Sequence, residues 1–331
     1  MINMINKIAI LVVACAALIL PQVCNGESVE TVRPSGKIIS KTASIEQPFH
    51  AIEALSMKKV VYNTGSQTSV RIDGSDNLVP LVETMVDDGR LLIKYRGRGI
   101  RIVGNEDVTV YVTAPAVRSF EVKGSSSISI NSRLDVAGKD ATLTVNGPGD
   151  ISAKAVSCRS FKGVVNGSGD LDINSHVDAS GNIDLTVNGS GNAEVDAISC
   201  KRGTVTLQGS GDISVDAVKA SELAVKVNGS GDAECNEIAA TTVKAELSGS
   251  GDIAVDGKSK NANLTANASG DISAEDLRAD NVKALVNGSG EINCYAAKAL
   301  DATINGSGEV RYGGSPRVTA HGRNNDNISR N

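Results

Sequence analysis

Carboxylates are the commonest chemistry-bearing side chains in this sequence, and they return at set intervals. Asp196, Asp212, Asp216, Asp232, Asp252 and Asp256 recur within a run of Gly-Ser-Gly segments. Hard divalent cations take carboxylate oxygens, so a stripe of such acids is a candidate for weak Ca²⁺ binding. The competing reading is a solvated face on which the acid after each second glycine accepts backbone N–H bonds at a bend. The spacing favours that second reading, because the calcium nonapeptide GGxGxD has a much shorter period. No other cofactor is expected. The three histidines, His50, His176 and His321, fall in no HExxH motif, no paired zinc spacing and no recognisable triad. Gly-x-Ser matches are too frequent to carry information. Dinucleotide and Walker loops need a strand-to-helix context, and the latter needs Gly-Lys-Ser/Thr; neither is present. No catalytic residue is assigned, and the chain reads as non-enzymatic.

The acids belong to a repeat. VNGSGD stands at 165–170 and 227–232, with near-copies VNGPGD at 145, VNGSGN at 187, LQGSGD at 207, LSGSGD at 247, VNGSGE at 286 and INGSGE at 304. The residue after the second Gly (position 0) is Asp150, Asp170, Asn192, Asp212, Asp232, Asp252, Asp271, Glu291 and Glu309, at intervals of 18 to 22 residues. A fixed phase with a period near 20 residues marks a solenoid. Apolar residues alternate on both sides of the bend, as in Leu185 and Val187 before it and Ile213 and Val215 after it. Period two means strand. Each repeat therefore reads as strand, bend, strand and looser return, stacking at about 4.8 Å per coil into a rod roughly 40 Å long.

Six near-identical residues recur because every coil turns the same corner. The position before the first Gly is Asn146, Asn166, Asn188, Asn228, Asn267, Asn287 and Asn305, with Gln208 and Ser248 in the other two repeats. Asn tolerates the left-handed conformation, and stacked amides can bond coil to coil, so this position reads as an asparagine ladder. Asn-Gly-Ser also matches the glycosylation acceptor pattern, but a glycan at every stacked bend would be crowded.

Composition agrees. The 331 residues include 34 Gly, 7 Pro, 2% aromatics and no Trp, a mix that suits short strands and turns. The net charge of −5 gives no reason to expect nucleic acid. Residues 1–26 read as an export signal, with the apolar run IAILVVACAALIL and small residues before Glu27. A retained anchor and lipidation at Cys15, within the lipobox-like Val12–Cys15, stay open beside cleavage. Residues 27–44 read as a flexible polar leader. Residues 45–122 are either a small β domain or the capping coils, with Asp87-Asp88-Gly89-Arg90 marking a hairpin. Residues 123–312 are the repeat β-helix and 313–331 a C-terminal cap and polar tail, the last ten residues expected to be disordered. Cys158 and Cys200 share one phase, and Cys235 and Cys294 another, each pair too many coils apart for a disulfide. Lys94, Arg96, Arg98 and Arg101 form a short basic patch read as a solvated hairpin.

The ordered combination of Phe49-His50-Ala51-Ile52, the hairpin DDGRLLIKY, the segment VTVYVTAPAVRSFEVKGSSSI, the GSGD repeats and the closing VRYGGSPRV resembles the head GIN domain family, secreted proteins of Bacteroidota described as auto-transporter adhesins. The resemblance spans about residues 45–320. It implies an all-β, right-handed parallel β-helix, export to the envelope, and no cofactor. It also implies an adhesin that binds a surface glycan or surface protein through a face of the solenoid. A periplasmic scaffold, with self-association, is the alternative; a carbohydrate-active enzyme is a third reading.

Overall fold

The computed structural model describes residues 30–331 except 98, 99, 116, 137 and 323, and not the side chain of 325. The export signal, Cys15 and the basic residue Arg98 lie outside the described residues. The chain is essentially all β, with stacked parallel coils forming a solenoid of about ten turns. No described helix is long and apolar enough to cross a membrane.

The coil repeat follows from side-chain alternation. Residues 213–229 run as one bent strand, pairing in parallel with 193–209 on one side and 233–249 on the other. Ile213, Val215, Val218, Leu223, Val225 and Val227 all point inward and are buried, and the residues between them face out. One coil buries only one face of each strand against its own interior. Stacking coils makes that interior continuous, and the core runs unbroken from Phe49 to Val310.

Two different demands fix the glycines of each bend. The first has a left-handed backbone in six coils, with φ from +116° at Gly147 to +156° at Gly229. Ala268 replaces it in a later coil and has no positive φ. The second glycine answers to crowding: a Cβ on Gly231 would fall on the carbonyl oxygen of Gly211 in the coil below. The close approach is needed because one carbonyl serves two donors. Ser230 and Gly231 N–H both reach the Gly209 oxygen, at 2.9 and 3.3 Å.

The N-terminal third is continuous with this solenoid. β1 (Glu30–Val32), β2 (Ile38–Ala43), β3 (Ala51–Leu55), β4 (Lys59–Thr64) and β5 (Ser69–Ser75) are followed by β6 (Val82–Asp87), β7 (Arg90–Tyr95), β8 (Ile100–Ile102), β9 (Thr109–Ala114), β10 (Ser119–Lys123) and β11 (Ser127–Ile130). β3 and β4 pair in parallel with β10 and β11 above and with β7 and β9 below. The lowest coil thus comes later in sequence than the one resting on it. Below it the pairing turns antiparallel, β6 on β7 and β2 on β5 on β9. These strands cover what would otherwise be the open end of a parallel stack. The β6–β7 hairpin turns through Asp88 (φ 46°) and Gly89 (φ 69°), as DDGR predicts. Residues 30–43, expected as a flexible leader, instead carry β1, parallel to β8, and β2. Their backbone bonds close sheet edges, a role that polar side chains did not reveal.

At the other end, Arg317–Gly322 pairs with 299–304, and Ile328–Arg330 with 310–312. The tail therefore continues the stack where disorder was expected. Asn324 and Asn327 donate their amides to the Gly306 and Gly308 carbonyls at 2.6 and 3.0 Å, replacing the N–H groups that a further Gly-Ser-Gly bend would supply.

Candidate interaction faces

The bend places two side-chain ladders next to each other. In the first, Asn166 Nδ2 donates to Asn146 Oδ1 and Asn188 Nδ2 to Asn166 Oδ1, both at 2.9 Å. Asn146 in turn donates to Glu121. A second run joins Asn267, Asn287 and Asn305 at 2.8 and 2.9 Å. Between the runs, Gln208 and Asn228 are stacked in register but no side-chain bond links them to their neighbours. The extra methylene of Gln208 and the short Ser248 each put the polar group at the wrong height for an amide-to-amide bond.

The second ladder is made by the position-0 acids. Each backbone N–H there donates to the carboxylate of the coil below: Asp232 to Asp212, Asp252 to Asp232, Asp271 to Asp252, at 2.8 to 3.1 Å. Asn192 accepts from Asp212 in the same way, so the geometry needs an acceptor and not a charge. Asp150 and Glu309 depart from the pattern: their N–H groups turn to the Ser126 and Gly290 carbonyls.

The expected acidic stripe is present as a surface. Asp196, Asp212, Asp216, Asp232 and Asp252 are exposed, and Asp256 is partly covered. Asp256 Oδ1 accepts the Glu237 N–H at 2.8 Å. Among the described residues, no three His, Cys, Asp or Glu side chains stand in an arrangement that could hold a metal ion. The Ca²⁺ expectation therefore finds no convergent donor set. Like-charge crowding is still felt: burial, then Asp170, Glu194 and Asp150, raises the Asp172 carboxyl above its ordinary pKa.

A third column, two residues before the asparagine ladder, was not singled out from sequence. It runs Thr144, Val164, Thr186, Thr206, Lys226, Glu246, Thr265, Leu285, Thr303 in unbroken parallel register. The signal was the tripeptide Thr-x-Asn at 144, 186, 265 and 303. The five Thr are partly exposed, and none of their hydroxyls bonds within the protein. Thr and Asn columns together make two uncharged tiles, 144–208 and 265–305, parted by Lys226 and Glu246. Neighbouring groups lie about 4.8 Å apart between coils and about 7 Å apart along a strand.

Ser175, His176 and Asp178 stand together on one strand, with Nδ1 2.9 Å from Ser175 Oγ and Nε2 3.2 Å from Asp178. Arg133 also meets Nε2 at 3.0 Å, and a guanidinium only donates. Nε2 thus meets a guanidinium and a carboxylate while Nδ1 meets the Ser175 hydroxyl, so both ring nitrogens are engaged by neighbouring side chains. His50 packs on the Gly89 turn and His321 faces Asp301. The four cysteines among the described residues are free thiols; burial pushes Cys158 and Cys200 up to about 11 and Cys235 and Cys294 up to about 12, which leaves little thiolate.

The N-terminal end carries the densest ion-pair cluster. Burial works to raise the Glu53 carboxyl, but hydrogen bonds and charge from Lys123 and Arg90 win and hold it low. Beside it, Tyr95 donates to Glu106 at 2.6 Å in a cleft of about 300 Å³. Of the expected basic patch, Lys94 faces Glu83 at 3.5 Å.

With this geometry in hand, the family model described as "putative auto-transporter adhesin, head GIN domain" matches residues 48–220 and 204–316. The chain belongs to the head GIN domain family. Solved structures to which the chain is similar include putative adhesins from Parabacteroides merdae (18% identity, TM-score 0.49) and Parabacteroides distasonis (19%, 0.43), each match covering 91% of this chain and 99% of the other. A third, from Parabacteroides distasonis, bears the name putative lipid binding protein (19%, 0.39), covering 91% of this chain and all of the other. No curated protein matches this head GIN chain.

Proposed function

We propose that this protein is an exported, non-enzymatic adhesin that holds a surface glycan along the two Thr/Asn tiles. One observation carries the reading: the tiles present ordered hydroxyls and amides, free of charge and open to solvent, at a fixed pitch over several coils. Sugar hydroxyls are donors and acceptors at short intervals, and such an array meets several at once. Protein partners are usually gripped by Trp, Tyr, Met or Arg anchors, and these columns contain none. Family membership supports binding to a surface partner.

The test is retention on immobilised polysaccharides, comparing wild type with Thr186→Lys/Thr206→Lys. These side chains are partly exposed and unbonded, so the variant should melt like wild type and lose retention. Equal retention by both proteins rejects the tiles as the binding face. Protease shaving of intact cells tests exposure: loss of the chain while a periplasmic control survives supports adhesion, and protection supports the scaffold reading.

A further inference from the structure

The other two faces of the solenoid differ sharply in charge. Segments 192–196, 212–216, 232–237, 252–256 and 271–276 follow the bend and contain no Lys or Arg. They carry Glu194, Asp196, Asp212, Asp216, Asp232, Glu234, Glu237, Asp252, Asp256, Asp271, Glu275 and Asp276, and Asp212, Asp232, Asp252 and Asp271 stack coil on coil. The returning strands present the opposite sign. Lys219, Ala239, Lys258, Arg278 and Tyr295 form one column in register. Lys201 and Lys260 stand beside it in the same run of coils. Arg278 lies over the Tyr295 ring at 4.2 Å, which fixes its position. The acids on this face are already neutralised: Glu222 by Arg202 and Lys244, Asp280 by Lys298. Lys201, Lys219, Lys258, Lys260 and Arg278 are exposed and make no ion pair among the described residues. Neither do Asp216, Glu234 or Glu275.

We propose that these two faces are the halves of a lateral interface between copies of this chain, the acidic face of one rod lying on the basic face of the next. Charge complementarity alone would admit any polyanion on the basic face. The second copy is favoured by pitch. Both stripes follow the coil spacing of about 4.8 Å, with Ala239 as a gap within the basic one, so charges that meet at one coil meet again at others along the rod. The contact is heterologous, because a pair leaves the basic face of one copy and the acidic face of the other unused, and it therefore propagates. It uses neither Thr/Asn tile, which leaves the proposed glycan face open on every copy.

Sedimentation velocity on the purified protein tests this at two salt concentrations. At ~10 mM salt, where the screening length is ~30 Å, wild type should form species larger than a dimer; at ~1 M, where it is ~3 Å, it should be a monomer. Lys219→Glu/Lys258→Glu/Arg278→Glu loses the basic half, and Asp216→Lys/Glu234→Lys/Glu275→Lys the acidic half. All six positions are exposed, and unchanged circular dichroism melts confirm folding. Each variant alone should associate less than wild type at low salt. Mixed one to one they should form a heterodimer through the remaining intact faces. A wild type that stays monomeric at low salt overturns the proposal, as does association unmoved by salt or by either variant. Retention of monomeric wild type on a sulfated polysaccharide resin, lost in the Lys/Arg variant, would give the basic face to a polyanion instead. None of these results bears on retention through Thr186 and Thr206, so the two readings fail separately.

Discussion

The backbone N–H of Asp232 donates to Oδ1 of Asp212 at 3.1 Å, and the same bond repeats from coil to coil. At this corner the N–H takes a side-chain oxygen, where the Glu309 N–H takes the Gly290 carbonyl. The Asp212 carbonyl points the other way along the stack and accepts the Ala193 N–H at 3.0 Å. A short side chain with an oxygen on its second carbon supplies the acceptor, which explains why the position is Asp or Asn in seven of the nine repeats.

It follows that Asp212→Asn should fold with near wild-type stability, since Asn192 already fills the role. Asp212→Ala leaves the Asp232 N–H without its acceptor and should cost about 1–3 kcal/mol, the penalty of an unsatisfied polar group. Urea unfolding of the three proteins checks this. Equal midpoints for Ala and wild type would mean that water replaces the carboxylate.

Gly231→Ala should be more damaging than its size suggests. The new Cβ lands on the Gly211 carbonyl oxygen, a backbone atom that cannot swing aside. Overpacking of this kind costs about 1–3 kcal/mol, and the separated coils would also weaken the Ser230 and Gly231 bonds to Gly209. Ala268→Gly restores the first glycine where the backbone has no positive φ, and should be slightly destabilising through chain entropy. Thermal melts of the two variants should therefore differ clearly.

Two carboxyls give opposite pH responses. Hydrogen bonds and charge from Lys123 and Arg90 overcome burial and depress the folded pKa of Glu53 below its ordinary 4.5. Its contribution is present above that value and lost as pH falls through the folded pKa. Asp172 is raised above its ordinary 3.8 by burial and by neighbouring acids. Its ionised form is disfavoured in the fold, so this group lowers stability once pH rises through and above its folded pKa. Asp172→Ser, the residue at 152 and 214 in the same column, should raise the neutral-pH melting temperature and lose that advantage in acid. Glu53→Gln should melt lower than wild type at neutral pH, the gap narrowing as pH falls below the ordinary 4.5 and through the folded pKa. Melting curves from acid to neutral pH measure both.

Much of the solenoid was legible because its signal is repeated. Alternation around the bend fixes which residues enter the core, and Ile213, Val215, Val225 and Val227 all do. DDGR marked the β6–β7 hairpin, but nothing local says that β7 then pairs with β3 of an earlier coil. That choice is made by long-range packing, as in the 5.0 Å edge contact of Tyr62 with Phe120. The leader and tail hid their roles because they act through backbone edges and amide caps. The Thr column was obscured for a different reason: Gly and Asp dominate the repeat visually, while Thr144, Thr186, Thr206, Thr265 and Thr303 alternate with Val, Lys, Glu and Leu.

The break in the asparagine ladder gives the last prediction. Gln208 sits in backbone register between Asn188 and Asn228. Shortening it by one methylene in Gln208→Asn would place an amide at the height used by Asn166 and Asn188, which are bonded at 2.9 Å. Two new bonds at about 0.5–1.5 kcal/mol each should stabilise the solenoid, less at this exposed surface than in the interior. Asn166→Ala, in the middle of an intact run, breaks two such bonds and should destabilise by a similar amount. The pair of urea midpoints should straddle wild type. If Gln208→Asn falls below wild type, the glutamine is serving the uncharged tile and not the ladder, and its loss should then show in glycan retention.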